Sequence, residues 1–266
     1  ALLGYLILNL VIGWQTLQAE RLEKPPPSWL KPLILLAIPW AISIHTVTAF
    51  LYCGLAARSF WLSAVLTPRF LASAFAAGPA LLIILSFAMR QLTGFDPGDR
   101  ALVKLAKIMA YAMITNLFLF ALELFTAFYS GVPDHTASWI FLFGPVNGTL
   151  APVVPFMWLS VALGLAALVL LLRRRTYSDS TRLIAAAAMV FISIWIDKGA
   201  GMMTGGLNPG PLGRYNLYFP SSVEIIMGVG LYALGALILT VLYKIAVTVK
   251  RENVKSAGGS NSTPSA

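Results

Sequence analysis

VVPFMWLSVALGLAALVLLL, residues 153–172, carries no charged side chain and runs straight into Arg173, Arg174 and Arg175. A helix needs roughly 20 mostly apolar residues to cross the hydrocarbon core of a bilayer. The run has neither the alternation of a half-buried strand nor the spacing of an amphipathic helix, so water would meet apolar surface all round it. Working outward from it, blocks of the same kind recur along the chain. Candidate spans cover 1–18, 32–56, 69–89, 104–129, 153–172, 183–203 and 222–244. The expected fold class is therefore an all-α integral membrane protein, a bundle of about seven transmembrane helices occupying 1–249. The segment 250–266, KRENVKSAGGSNSTPSA, is polar and rich in Gly and Ser, and is expected to be a disordered cytoplasmic tail.

Composition agrees with lipid as the solvent. Apolar residues make up 58% of the 266 and charged residues only 11%, against roughly a quarter charged in soluble domains. The net charge of +9 could suggest nucleic acid, but the basic residues sit in short loops between apolar blocks and form no binding face. Fifteen of the nineteen fall in one alternating set of loops and the C-terminal tail: Arg21, Lys24, Lys31, Arg90, Arg100, Lys104, Lys107, Arg173, Arg174, Arg175, Arg182, Lys244, Lys250, Arg251 and Lys255. Arg58, Arg69 and Arg214 lie in the opposite set, and Lys198 lies within a span. The positive-inside rule makes the first set cytoplasmic. The expectation is a multi-pass protein of the cytoplasmic membrane with its C-terminus inside. Cys53 is the single cysteine, so the chain alone can offer no disulfide, Cys-x-x-Cys zinc site, c-type haem attachment or iron–sulfur cradle. The opening ALLGYLILNL, without Met or a basic flank, reads as a sequence entered partway through a helix, with further helices expected upstream.

Two outer loops differ in kind from the rest. Residues 130–152 and 204–221 are long, rich in Gly and Pro, and carry aromatics. They form either an interfacial aromatic belt or a docking surface for an extracytoplasmic partner.

Five ionisable groups fall within or at the edge of the spans: His45, Arg69, Glu123, Asp197 and Lys198. A charge near the bilayer centre costs roughly 2.5–3.5 kcal/mol on insertion scales, so such residues face the bundle interior, pair, or line a polar path. At about 1.5 Å per residue, Glu123, Asp197 and Lys198 lie about 9 Å below the outer helix ends and His45 about 15 Å, with Arg69 at the mouth. All five share the outer half of the membrane. One reading is structural: ion pairs of Asp197 with Arg69 and of Lys198 with Glu123, Glu123 as a helix cap, His45 satisfied by neighbouring hydroxyls. Asp197 and Lys198 point about 100° apart on a helix, which argues against their pairing only with each other. The other reading is a proton-handling pocket. Tyr111 and Asn116 either extend a polar path inward or bond between helices. His135, in an outer loop, is expected to do no chemistry. Only His45 of the two histidines lies in a span, so a bis-histidine haem is not expected. No metal site is expected either. Gly78-Pro79 and Gly199-Ala200-Gly201 are interruptions or close-packing points.

The segments SIHTVTAF (43–50), PRFLASAFAAGPALLI (68–83), LTGFD (92–96), ELFTAFY (123–129) and IWIDKG (194–199) resemble the NrfD/PsrC polysulfide-reductase membrane-subunit family, within it the HybB/DsrP-like branch. The resemblance runs from the first helix to about residue 244. It implies a haem-free membrane subunit that exchanges electrons between menaquinol or another quinone and an extracytoplasmic ferredoxin-like subunit with 4Fe–4S clusters. Further partners implied are a membrane cytochrome b and a multihaem cytochrome c, in sulfur or sulfite metabolism. Carried over by position, His45, Glu123 and Asp197 become the catalytic, proton-handling residues, and His45, Arg69, Glu123 and Lys198 line the quinone pocket. Asp197 stands where family relatives commonly have Glu, a shorter reach by about one bond. The family has more spans than are read here. The alternatives from other classes are an ion- or proton-translocating transporter, marked by buried carboxylates, and a structural membrane anchor.

Overall fold

Backbone polar groups have no water to bond in lipid, so each span must satisfy its own as a helix. The computed structural model, which describes residues 1–94, 98–210 and 212–259, follows that demand. Its elements are α1 (Leu2–Arg21), α2 (Leu30–Cys53), α3 (Leu66–Thr93), α4 (Asp99–Tyr129), α5 (Pro133–Phe143), β1 (Pro145–Val146), β2 (Thr149–Leu150), α6 (Val154–Leu172), a 3₁₀ turn (Arg174–Ser178), α7 (Ser180–Trp195), a π-helical turn (Ile196–Gly201), α8 (Met202–Leu207) and α9 (Ser222–Gly259). Seven of the described helices are long and apolar enough to cross a membrane: α1, α2, α3, α4, α6, the run Ser180–Leu207, and Ser222–Val249 of α9. Each matches an expected span. Phe95 and Asp96 of the LTGFD segment, and 260–266 of the polar tail, lie outside the described residues.

The loop 130–152 is more ordered than its composition suggested. Pro133 opens α5 at a position where its missing N–H costs nothing, and Asp134 sits in the first turn, favourable to the helix dipole. Asn147 (φ 51°) and Gly148 (φ 78°) then turn the β1–β2 hairpin. Asn-Gly is the pair that tolerates two successive left-handed conformations there.

The chain forms two units. Ala1–Ile44 and Pro220–Ala266 make the first, His45–Phe219 the second. In the first, α1 packs along α9, and Trp40 Nε1 donates to the Ala1 carbonyl at 3.2 Å. Gly4 lies against the Trp40 ring, where a Cβ would come within 2.7 Å of it. Apolar side chains stay outward along α9; Leu231 is 72% exposed. That surface suits hydrocarbon and not water.

In the second unit α3 packs along α4 and α7, and α6 along α7. The contact is built on small residues: Ala76 and Ala80 of α3, Ala106 and Ala110 of α4, Ala186 and Ala187 of α7. Small side chains let helix backbones approach closely where no hydrophobic effect drives them together. Met109, Met113, Ile83 and Val190 fill the remaining space. Ser160 Oγ donates to the Ser193 carbonyl at 2.7 Å and Ser193 Oγ to the Ser160 carbonyl at 2.8 Å. This reciprocal pair fastens α6 to α7 about one turn before the π-helical turn.

Candidate functional site

Arg69 lies in the first turn of α3, Glu123 near the C-terminal end of α4, and Asp197 and Lys198 on the π-helical turn after α7. These elements bring the four to one end of the second unit. Arg69 is 4% exposed. Its Nη1 donates to Glu123 Oε2, and its Nη2 donates to Asp197 Oδ1 at 2.6 Å. Lys198 Nζ lies 3.5 Å from Asp197 Oδ2. The guanidinium also stands 4.8 Å from the centre of the Phe120 ring, and Lys198 Nζ 5.1 Å from that of Phe70. A planar fork with donors on two sides is what can hold two carboxylates from different helices at once. Two cations face two carboxylates, so the buried group is formally neutral, the condition under which burial of charge is tolerable.

The pairing differs from the structural scheme expected from sequence. Arg69 does take Asp197, but Glu123 also pairs with Arg69, and Lys198 pairs with its neighbour Asp197. Asp197 pairs with Arg69 as well as with Lys198, so the two neighbours on the π-helical turn do not pair only with each other. Gly201 closes that turn against α6, where a Cβ would stand 2.5 Å from Met157 Sδ. Close packing is thus part of what the Gly199–Gly201 segment does.

Three cavities border the group. One of about 10 Å³ touches Arg69, Glu123, Asp197 and Lys198. A second of about 20 Å³ lies between Arg69, Asp197, Asn116, Ser160 and Ser193. Among the described residues, Arg69 Nε, Asn116 Oδ1 and Asp197 Oδ2 are buried without a hydrogen-bond partner, and all three residues line this second cavity, which has room for one water. A third, of about 280 Å³, is lined by Glu123, His135, Ser59, Ser63, Phe60 and Trp139 among others. Glu123, Phe60 and Trp139 line both the first and the third.

His45 is half-buried on α2 and lines none of these three cavities. Four of the five expected residues therefore meet, and His45 stands outside their contacts. His135, expected to be idle, lines the largest of these three cavities beside Glu123. Phe60 and Trp139 were missed by sequence reasoning. The one available signal was the aromatic spacing of SWIFLF (138–143), of which Ser138, Trp139, Phe141 and Leu142 are buried on α5.

A set of polar ties holds the loops around this end. Ser59 Oγ donates to the Asp134 carbonyl at 2.8 Å, and Ser138 Oγ to the Asn208 carbonyl at 2.7 Å. Arg58 Nη1 donates to the Leu207 carbonyl at 3.0 Å. Asn208 Oδ1 accepts from the Asn216 amide at 2.7 Å. Trp61 Nε1 donates to the Met202 carbonyl at 3.0 Å.

Residues 2–198 match the family described as Polysulphide reductase, NrfD. The chain belongs to the NrfD family. All four clustered residues lie within the matched stretch. A candidate membrane subunit of a dimethyl sulfoxide reductase from Halobacterium salinarum is 27% identical over 224 residues, covering 76% of this chain and 50% of that protein. The chain thus spans about half the length of that relative. As an NrfD-family protein it is a multi-pass membrane protein with seven candidate spans among its described residues.

Proposed function

We propose that this NrfD-family chain is the haem-free membrane subunit of a respiratory oxidoreductase complex, exchanging electrons between membrane quinone and an extracytoplasmic iron–sulfur partner. The observation that carries the reading is the buried, charge-balanced group of Arg69, Glu123, Asp197 and Lys198 opening through Glu123 onto a cavity of about 280 Å³. That volume sits at the lower edge of small-molecule sites, about 300–1,000 Å³. Phe60, Leu62, Val65 and Trp139 give it apolar walls for a planar ring, and Glu123 gives it a proton acceptor. The relative's description as a membrane subunit of a reductase points the same way. The loop charge bias sets this end of the bundle on the outer side of the cytoplasmic membrane, with the C-terminus inside.

Quinol chemistry then divides among the chain's own residues. Glu123 takes a hydroxyl proton as electrons leave for the iron–sulfur partner. Protonation of Glu123 leaves the group with one net positive charge, and Arg69 stays anchored through its remaining ion pair with Asp197. Lys198 supplies positive charge beside Asp197, and His45 and Asp197 are the further proton-handling candidates. Menaquinol as the quinone, a link to sulfur or sulfite metabolism in a DsrP-like setting, and membrane cytochrome b and multihaem cytochrome c partners complete the proposal.

A second reading has one observation in its favour. The unpartnered Asn116 Oδ1 and the adjoining 20 Å³ cavity extend the polar group into the bundle, as a proton-translocating path would.

The test is oxidation of a menaquinol analogue by the complex isolated with its partner subunits, comparing wild type with Glu123→Gln and His45→Ala. Loss of partner reduction by about a hundredfold in an assembled Glu123→Gln complex is the expected result. Full rates in that variant sink the assignment of the site, and a wild type that never reduces its partner with quinol sinks the function. Proton uptake into liposomes without redox partners would support the second reading.

A further inference from the structure

His135 and Glu123 approach one cavity from different elements. Glu123 comes from α4 and is anchored on its inner side by Arg69. His135 comes from the first turn of α5, whose position is held by the Ser59–Asp134 and Ser138–Asn208 hydrogen bonds. Among the residues lining the 280 Å³ cavity these two are the titratable ones; the rest are apolar side chains and the hydroxyls of Ser59, Ser63 and Thr126. Glu123 also lines the small cavity that reaches Asp197 and Lys198. It is the ionisable residue common to both, so a proton leaving the buried group by way of the large cavity meets Glu123 first. His135 is half-buried at the cavity wall. The hydroxyls of Ser59, Ser63 and Thr126 on the cavity wall can hold water beside a bound ring, along the wall that joins Glu123 to His135.

We propose that His135 is the outer proton relay of this site, taking protons from Glu123 across the 280 Å³ cavity and passing them to the outer aqueous phase. The proposal rests on the quinone reading above. Oxidation of one quinol gives both electrons, one at a time, to the iron–sulfur partner and releases both hydroxyl protons. The first proton moves from the quinol oxygen to a Glu123 carboxylate oxygen and then through cavity water to the imidazole of His135. The imidazolium returns it to outer water, and the second proton follows once Glu123 is again ionised. Imidazole suits the step because it can bind a proton at one nitrogen while releasing one from the other. When the reaction runs toward quinol, the same groups carry protons inward from the same face. His135 acts through Glu123 and does not touch the electrons.

The test uses the complex isolated with its partner subunits, carrying His135→Ala or His135→Gln, the latter keeping size and hydrogen bonding without proton transfer. The expected result is a kcat for quinol-dependent partner reduction lowered by about a hundredfold in both, with KM unchanged. Added free imidazole should restore His135→Ala and leave wild type unaffected. A fall that imidazole does not repair marks a structural role and overturns the relay. A raised KM with full kcat makes His135 a quinone-binding group and also overturns it. Unchanged kinetics in both variants, beside a Glu123→Gln complex that has lost activity, defeat the relay alone. A wild-type complex without quinol-dependent activity defeats the underlying reading with it.

Discussion

Arg69 concentrates the energetics of the site in one side chain. Its two nitrogens answer two carboxylates from different helices, and the guanidinium is itself almost wholly buried. Removing one partner of a buried pair typically costs about 3–5 kcal/mol, because the charge left behind is uncompensated. Arg69→Ala leaves Glu123 and Asp197 with only Lys198 nearby and should destabilise the bundle by about that amount, read as a lower midpoint in detergent unfolding. Arg69→Lys should recover little of the loss, since a point-like ammonium cannot reproduce the fork. Retention of wild-type stability in Arg69→Lys would show that charge alone, and not the two-sided geometry, holds the group together. Sequence offered the Arg69–Asp197 pair, but not the pairs of Glu123 with Arg69 and of Lys198 with Asp197. Depth along a helix follows from counting residues, but the choice of partner depends on rotation about the helix axis.

At the level of elements, two close approaches position the site. Gly206 of α8 lies under Trp61, where a Cβ would come within 1.9 Å of Cε2. The indole is itself tied to the Met202 carbonyl. Gly206→Ala should therefore displace Trp61 and cost about 1–3 kcal/mol, as overpacking does. Trp61→Phe in the same background should relieve part of that cost, and its failure to do so would refute the steric account. Ser160 and Ser193 provide a second check. Because each hydroxyl bonds the other serine's backbone carbonyl, Ser160→Ala and Ser193→Ala should each cost about 0.6 kcal/mol, the usual worth of an interhelical hydrogen bond in a membrane, read as a lower midpoint in detergent unfolding. Of the elements, the long helices were legible because apolar length alone demands them. The π-helical turn was not, since no local pattern sets it apart from a regular helix and the close packing of Gly201 on Met157 is a long-range contact. Helix α5 also escaped, being only 11 residues long and following a Gly-Pro-rich stretch that reads as loop.

Across the whole molecule, apolar side chains face outward from both units, and the buried charges gather at one end of the second. Sidedness is the property to test at this scale. In a Cys53→Ala background, Asn147→Cys in the hairpin should react with a membrane-impermeant thiol reagent added outside intact cells. Ser178→Cys, beside the Arg173–Arg175 run, should react only after the membrane is opened. The reverse pattern would invert the assignment and move the proposed quinone site to the cytoplasmic face.

Sequence by itself determined the fold class, the seven spans and the family resemblance, and it singled out Arg69, Glu123, Asp197 and Lys198 together with His45. The solvent imposes these: hydrocarbon demands long apolar helices and makes every charge within them conspicuous. Tertiary structure alone decided that Arg69 bridges Glu123 and Asp197, that Lys198 turns back to Asp197, that His45 stands apart from the group and that His135 faces the cavity of Glu123. Those outcomes depend on how each helix is rotated and on how α5 folds over the end of the second unit. Both are set by close packing between residues far apart in the chain, which no local pattern records.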